Sequence, residues 1–523
     1  MTSALLRREL PWWDPTALAR SLAARLGAEG LVLLDGDGGP HGQRAVLGVD
    51  PLETVCCRGL PGDAGATDPF EALRAMGERG GPWLGWLAYE AAAWLEPSVP
   101  WRDPEMASLW AVRHDPLIHF DRAVRRCWLE GRDPLRLEAL AAVIAALPAP
   151  EPQPPGAGSI TAQSQALAAG DAGGASGAAL TPACAVPDRV ASSSSAPLPA
   201  PRSGVGQVRG LAPQAGPGQA CASSGRAAGT DRAAAAPVAT AAIPRSAWHW
   251  HTSPEAYAAQ VSALLERIAA GDLFQANLTA CCETWLEDAP DPLALWERLS
   301  RACPAPFAGV AIGSGEAAGD AVISASPERF LQLSPGGLVE TRPIKGTRPR
   351  SAEADRDAAA AAALVCDPKD RAENVMIVDL MRNDLGRVCE PGSIAVPQLV
   401  GLESYAQVHH LTSVVTGQLA AGRDLVDLLR ACWPGGSISG APKLRACTRL
   451  HGLEPVPRGP YCGSLFHWDA EGGFDSSILI RSVMASGRRL RVHAGGGIVA
   501  DSDPAAEAEE MGWKIDPLLE ALA

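Results

Sequence analysis

Lys345 is the side chain in this sequence best placed to do chemistry. It stands in the run Thr341-Arg342-Pro343-Ile344-Lys345-Gly346-Thr347, between a proline that stiffens the backbone and a glycine that frees it. An amine held there can serve as a charge, a base or a nucleophile. Taken alone it reads more simply as a solvated lysine in a turn. Its company decides the matter, and that company is largely carboxylate. Asp370 and Glu373 are three residues apart in one helical segment, and Glu507 and Glu510 are three apart in the last one. That spacing puts both members of a pair on one helical face. Two such faces brought together make an oxygen-rich site of the kind that suits Mg2+, which binds through a few carboxylates and keeps its waters. Either pair alone is more simply a solvated helix face.

Three further constellations surround these. Gly435-Gly436-Ser437-Ile438-Ser439-Gly440-Ala441-Pro442-Lys443 lacks the lysine that a nucleotide-binding phosphate loop needs directly after its last glycine, since Ala441 is there. What remains is a flexible loop with hydroxyls and amides to offer, and Pro442 as a helix start. Gly495, Gly496 and Gly497 follow the alternating strand Leu490 to His493, and would let backbone amides approach a ligand closely. Arg481 closes the apolar strand Ile478-Leu479-Ile480, where burial demands an anionic partner or a salt bridge within the fold. His409-His410 has no third His or Cys at metal-ligand spacing, so zinc is not expected.

These elements sit in a chain of 523 residues, 47% hydrophobic, with net charge −14. A balance that acidic argues against nucleic-acid binding. The 13 cysteines form no C-x-x-C pair and fit reduced thiols in a cytoplasmic protein. No signal peptide is expected, and no stretch is long and apolar enough for a membrane span. Residues 1–147 read as globular, with a strand at Leu31–Leu34, a second at Gly81–Tyr89 before a helix, and a helix at Leu135–Leu147. Over 148–247 the composition turns to Ala, Gly, Pro and Ser with no aromatic residue, which predicts a low-complexity, disordered insertion. From 248 to 523 order resumes, with an amphipathic helix at Pro254–Ala270 and a strand at Leu273–Leu278. Asp503 and Pro504 should cap and start the last helix. Pattern alone supports only a mixture of α and β.

From Ser326-Pro327-Glu328-Arg329-Phe330 to Lys514, and more weakly over Leu31–Tyr89 and Tyr257–Leu278, the sequence resembles the chorismate-binding enzymes. That family includes the anthranilate, isochorismate and salicylate synthases and relatives that aminate chorismate at C4. The resemblance implies an α+β fold of two antiparallel sheets packed as a sandwich with helices outside. Gln275 stands where the isochorismate and salicylate branches usually carry a lysine, which points to the ammonia-using branch. The Pro-Ile-Lys-Gly-Thr form, with Asn374 and His409, resembles the C4-aminating branch, a route to 4-aminobenzoate and folate. The alternatives are anthranilate formation and a non-catalytic chorismate or amino-acid sensor.

The same resemblance implies roles. Mg2+ would be held by Glu373 and Glu510, with Asp370 and Glu507 in support. Glu328 would be the general acid and Lys345 the nucleophile, with Ser437 and His410 beside the ring. Gln275, Thr347, Tyr461, Arg481, Gly495, Gly496, Gly497 and Lys514 would bind substrate. An ordinary lysine is almost wholly protonated at neutral pH, so a nucleophilic one must be discharged by its site. No glutaminase signature occurs, which implies ammonia from a separate glutamine amidotransferase subunit. Three departures stand out: the short Asp370, Phe466 where relatives usually have glycine and so a narrower pocket, and Pro517, expected to kink the last helix after Lys514.

Overall fold

The computed structural model describes residues 4–148, 242–405 and 408–523. The low-complexity segment expected at 148–247 lies almost wholly outside the described residues. Ile243, ahead of Trp248, is already buried and donates its amide to the Leu522 carbonyl at 2.9 Å.

Two antiparallel sheets, of twelve and ten strands among the described residues, make up the α+β fold. The N-terminal and C-terminal stretches share both. In the larger sheet Val32–Asp35 pairs with Phe307–Ile312, and in the smaller Trp83–Leu87 pairs with Ser464–Trp468. The apolar runs explain the layering, because successive side chains on a strand face opposite ways. Leu31, Leu33, Val310 and Ile323 of the larger sheet join one core with Leu18, Leu22, Leu264, Leu295 and Leu518 of the helices outside it. Val32, Ala311, Val322 and Met484 point the other way, into a second core with Trp83, Trp86, Trp110 and Phe330. Strands buried on both faces therefore read as unbroken hydrophobic runs. Trp86 and Trp110 stack at 4.5 Å in that second core.

Helix starts follow one local rule. Asp14, Asp68, Asp133, Ser253, Asp291, Asp367 and Asp503 each cap a helix whose first residue is proline. The side-chain oxygen satisfies an orphan backbone amide, worth about 1 kcal/mol per cap, and proline lacks the amide that would otherwise go unpaired there.

Several expectations change in detail. The three glycines lie inside the strand Arg489–Ile498 rather than after it. The strand expected to end at Arg481 stops at Ile478, and Arg481 turns with φ 51°. The segment after Trp83–Leu87 is a 3-10 turn, Tyr89–Trp94. The last helix runs from Pro504 to Leu522 through Pro517 without a break. Its neighbours hold it in register: Met511, Ile515, Leu518 and Leu519 are buried on one face. Phe466 packs on Phe474 at 5.7 Å inside the second core, so it fills the sandwich rather than narrowing a pocket.

Candidate active site

Two of the chain's crossings from one sheet to the other lie side by side, and each carries a candidate site residue. Glu328 lies between Asp320–Ser326 of the larger sheet and Arg329–Leu333 of the smaller. Arg481 lies on the return, between Phe474–Ile478 and Ser482–Ser486. The crossings are tied by Ile478 N donating to Glu328 O and Ala325 N donating to Arg481 O, both at 3.0 Å. Ser326 Oγ fastens the first turn, donating to Ile478 O at 2.6 Å and accepting from Glu328 N at 3.2 Å.

Lys345 comes from the strand Ile344–Pro349, which pairs with Val408–Gln418. The register slips between Lys345 and Thr347, where Gly346 adopts φ +72°. A side chain there would also meet Asp370 Cγ at 2.8 Å, so glycine serves both the bulge and the approach of the carboxylate. Lys345 Nζ donates to Ser437 O at 3.4 Å. The Ser437 loop is buried rather than flexible and exposed: Gly436–Ile438 form a 3-10 turn, Gly440–Ala441 pair with Gln275–Ala276, and Pro442 is the N-cap of Lys443–Leu453.

Glu328 is buried, and burial raises its pKa to about 7 against the pull of Ser437, Lys345 and the Ile344 amide. His410 is buried too. Desolvation, with Arg481 nearby, lowers its pKa to about 4, so the ring is neutral near pH 7, and its Nδ1 lies 2.9 Å from Thr347 Oγ1. Desolvation also lowers the pKa of Arg481. No carboxylate pairs with that guanidinium among the described residues. Gln275 is fully buried with neither amide atom hydrogen-bonded. Tyr461 is stacked face to face on His493, at 4.9 Å, within the glycine-bearing strand. His409 is held by Ser404 Oγ at 2.7 Å and Asp357 at 3.1 Å, and Asn374 donates to Leu411 O at 3.1 Å. Both bind the strand Val408–Gln418 to its surroundings.

The two carboxylate pairs do meet. Glu373, on the helix Pro368–Gly386, and Glu507, on the helix Pro504–Leu522, share Lys369, whose Nζ is 4.0 Å from Glu373 and 2.6 Å from Glu507. Glu510 pairs with Lys514 at 2.8 Å and Asp370 with Arg348 at 3.3 Å. Burial, reinforced by neighbouring carboxylates, raises the pKa of Glu373 and of Asp370. Lys514 lowers that of Glu510. Lys514 also donates to Gly495 O at 2.8 Å, so Pro517 leaves its aim intact.

The glycines divide their work. A side chain on Gly495 would lie 1.9 Å from Leu278 O, so this glycine permits the strand pairing itself. One on Gly496 would meet Glu507 Oε2 at 3.3 Å and Lys514 Nζ at 3.6 Å. One on Gly497 would meet Gln275 Nε2 at 2.5 Å, Glu373 Oε2 at 3.2 Å and Lys345 Nζ at 3.4 Å.

Among the described residues no three His, Cys, Asp or Glu side chains form a ready-made metal cage. Mg2+ needs none, since it uses one or two carboxylates with water and substrate. Glu373 and Asp370, desolvated carboxylates with raised pKa values, and Glu510, held close by Lys514, offer hard oxygens of that kind, so the residues fit the ion. Lys369, Arg348 and Ser502, whose hydroxyl donates to Glu507 at 2.6 Å, are parts of the site that sequence reasoning missed. Lys369 carries a readable signal, four residues before Glu373.

The chorismate binding enzyme family model matches residues 217–520. The chain belongs to the chorismate-binding enzymes. Its sequence is 46% identical over 288 residues to aminodeoxychorismate synthase component 1 of Klebsiella aerogenes, covering 55% of this chain and 62% of that protein. It is 41% identical over 278 residues to the protein of the same name in Escherichia coli (strain K12), covering 53% and 60%. The match to anthranilate synthase component 1 of Streptomyces coelicolor is 41% over 276 residues, covering 53% of each. The chain thus spans about three-fifths of the two aminodeoxychorismate synthase relatives. Its structure is similar to anthranilate synthase component I from Streptococcus pneumoniae TIGR4, with TM-score 0.62 and 22% identity over 91% of this chain and 92% of that one. It is also similar to the menaquinone-specific isochorismate synthase from Escherichia coli, with TM-score 0.65 and 14% identity over 100% and 95%. These two likenesses show the fold.

Proposed function

We propose that this chain converts chorismate and ammonia to 4-amino-4-deoxychorismate, the reaction named for its component 1 relatives in Klebsiella aerogenes and Escherichia coli. The observation that carries the reading is the meeting of Lys345, Glu373 and Gln275 on Gly497, with Glu328 in the field of the lysine.

The roles follow from charge and position. Arg481, desolvated and without a carboxylate partner among the described residues, takes the enolpyruvyl carboxylate, with the amides of Gly496 and Gly497 and the Lys514 ammonium beside it. Glu373 and Glu510 would hold Mg2+, with Asp370 and Glu507 behind them, and the bound ion would supply positive charge at the ring carboxylate. Glu328, protonated up to about pH 7, gives its proton to the C4 hydroxyl, which departs as water. The Lys345 amine, once it has given up its proton, forms its bond to C2 as the C4–O bond breaks. Ammonia then bonds to C4, the electrons return through the ring, and the C2–N bond to Lys345 breaks. Gln275 offers its unpaired amide to the incoming ammonia. Thr347 holds neutral His410 beside the ring, Ser437 hydrogen-bonds Glu328, and Tyr461 walls the far side.

A "component 1" name implies a second component, and a separate glutamine amidotransferase would supply the ammonia. No described helix is long and apolar enough to cross a membrane. We place the chain in the cytoplasm, where thiols stay reduced.

The test is incubation with chorismate, Mg2+ and ammonium, followed by mass analysis of the products. Aminodeoxychorismate supports the reading. Fluorescent anthranilate with release of pyruvate moves the chain to the sister branch, and unchanged chorismate makes it a sensor.

A further inference from the structure

The carboxylate cluster is already neutralised by the chain's own cations. Lys369 faces Glu507 and Glu373, Lys514 faces Glu510, and Arg348 faces Asp370. Lys345 adds a fourth positive charge in the field of Glu373 and Glu510. Against so balanced a cluster a divalent ion gains little attraction until one resident cation withdraws.

Lys369 is the cation free to leave. Lys514 also holds the Gly495 carbonyl, Arg348 also holds Asp367, and Lys345 also holds the Ser437 carbonyl. Among the described residues, the near contacts of the Lys369 ammonium are carboxylates alone: Glu507, Glu373 and, further off, Glu510. Its backbone is fixed in the first turn of Pro368–Gly386, where Asp367 caps its amide at 3.0 Å. Its side chain is 35% exposed while that of Glu507 is 3% exposed. The flexible four-carbon stem can therefore carry the ammonium into solvent without moving the helix. An ordinary surface ion pair would join two exposed groups; this one plugs a buried carboxylate where the two helices meet.

We propose that Lys369 is a built-in stand-in for the metal ion, seated between Glu507 and Glu373 while Mg2+ is absent and displaced when it binds. The inference rests on the Mg2+ reading above. It makes Lys369 an antagonist of the ion it resembles, so removing the ammonium strengthens metal binding.

The test titrates Mg2+ calorimetrically into the full chain as wild type, K369Q, K369R and E373Q, without chorismate. K369Q should bind Mg2+ tighter by on the order of tenfold or more, whereas K369R should stay near wild type. In the wild type, amine-reactive labelling read by peptide mass spectrometry should show Lys369 becoming more reactive when Mg2+ is added, a readout that needs no variant to fold. Equal or weaker binding by K369Q, or labelling unchanged by bound Mg2+, overturns the role of Lys369 alone. Binding by E373Q as tight as wild type overturns the metal site, and the inference with it.

Discussion

Lys345 Nζ and Glu373 Oε2 face the same missing side chain: a Cβ on Gly497 would stand 3.4 Å from the amine and 3.2 Å from the carboxylate. The amine proposed as nucleophile and the carboxylate proposed to hold the metal ion are thus brought together across a strand that has no side chain to separate them.

That relationship makes Gly497→Ala a clean probe. Gly497 is not among the positive-φ glycines, so alanine suits its backbone, and the methyl instead strikes Gln275 Nε2 at 2.5 Å. The variant should keep its circular dichroism and lose about 100-fold in kcat/KM for chorismate. Gly495→Ala, which strikes the Leu278 carbonyl, should chiefly lower Tm. Wild-type kinetics in Gly497→Ala would show that the glycine lines no pocket.

The pKa of Glu328, raised to about 7 from an ordinary 4.5, has two consequences. As a general acid it must be protonated, so the rate should fall as pH rises through about 7, and Glu328→Gln should lose about 10²–10⁴-fold. Its folded-state pKa lies above its unfolded value, so its contribution is present below about 4.5 and lost as pH climbs to about 7, a change of about 3 kcal/mol. Urea melts of wild type and Glu328→Gln should therefore separate between pH 5 and pH 8, with the variant gaining at high pH. A constant gap would contradict the shift.

Arg481 is a desolvated cation with no carboxylate to answer it among the described residues. Arg481→Gln should raise KM for chorismate about 100-fold and at the same time raise Tm of the ligand-free protein, because an uncompensated buried charge is removed. A lower Tm would mean that Arg481 is a structural salt-bridge residue after all.

Chelation of divalent ions should abolish turnover and Mg2+ should restore it. Glu373→Gln and Glu510→Gln should each weaken Mg2+ binding about 10–100-fold, read directly by calorimetry. Wild-type affinity in both would move the ion elsewhere.

Much of this site is legible in the chain because its signals are local. Asp370 with Glu373 and Glu507 with Glu510 announce themselves by helical spacing, and Asp503-Pro504 announces the helix that carries the second pair. What joins the pairs is not local. Lys369 and Glu507 are 138 residues apart, and only the packing of two helices makes them partners. Arg481 reads as a strand end because three apolar residues precede it, but the crossing between sheets takes the chain out of extended conformation there. Pro517 reads as a kink; burial of one whole helix face outweighs its missing hydrogen bond. The two-sheet architecture itself is expected from family resemblance, since strands buried on both faces lose the alternation that would reveal them.

The proposed reaction turns on a covalent bond between Lys345 and the ring. The direct measurement is rapid-quench intact-mass and peptide analysis of the protein mixed with chorismate and Mg2+, with ammonia withheld. A gain equal to chorismate less one water, located on the Lys345 peptide and discharged by ammonium as aminodeoxychorismate appears, is the expected result. Normal product formation by Lys345→Ala, with no such mass on the wild type at any quench time, would contradict it.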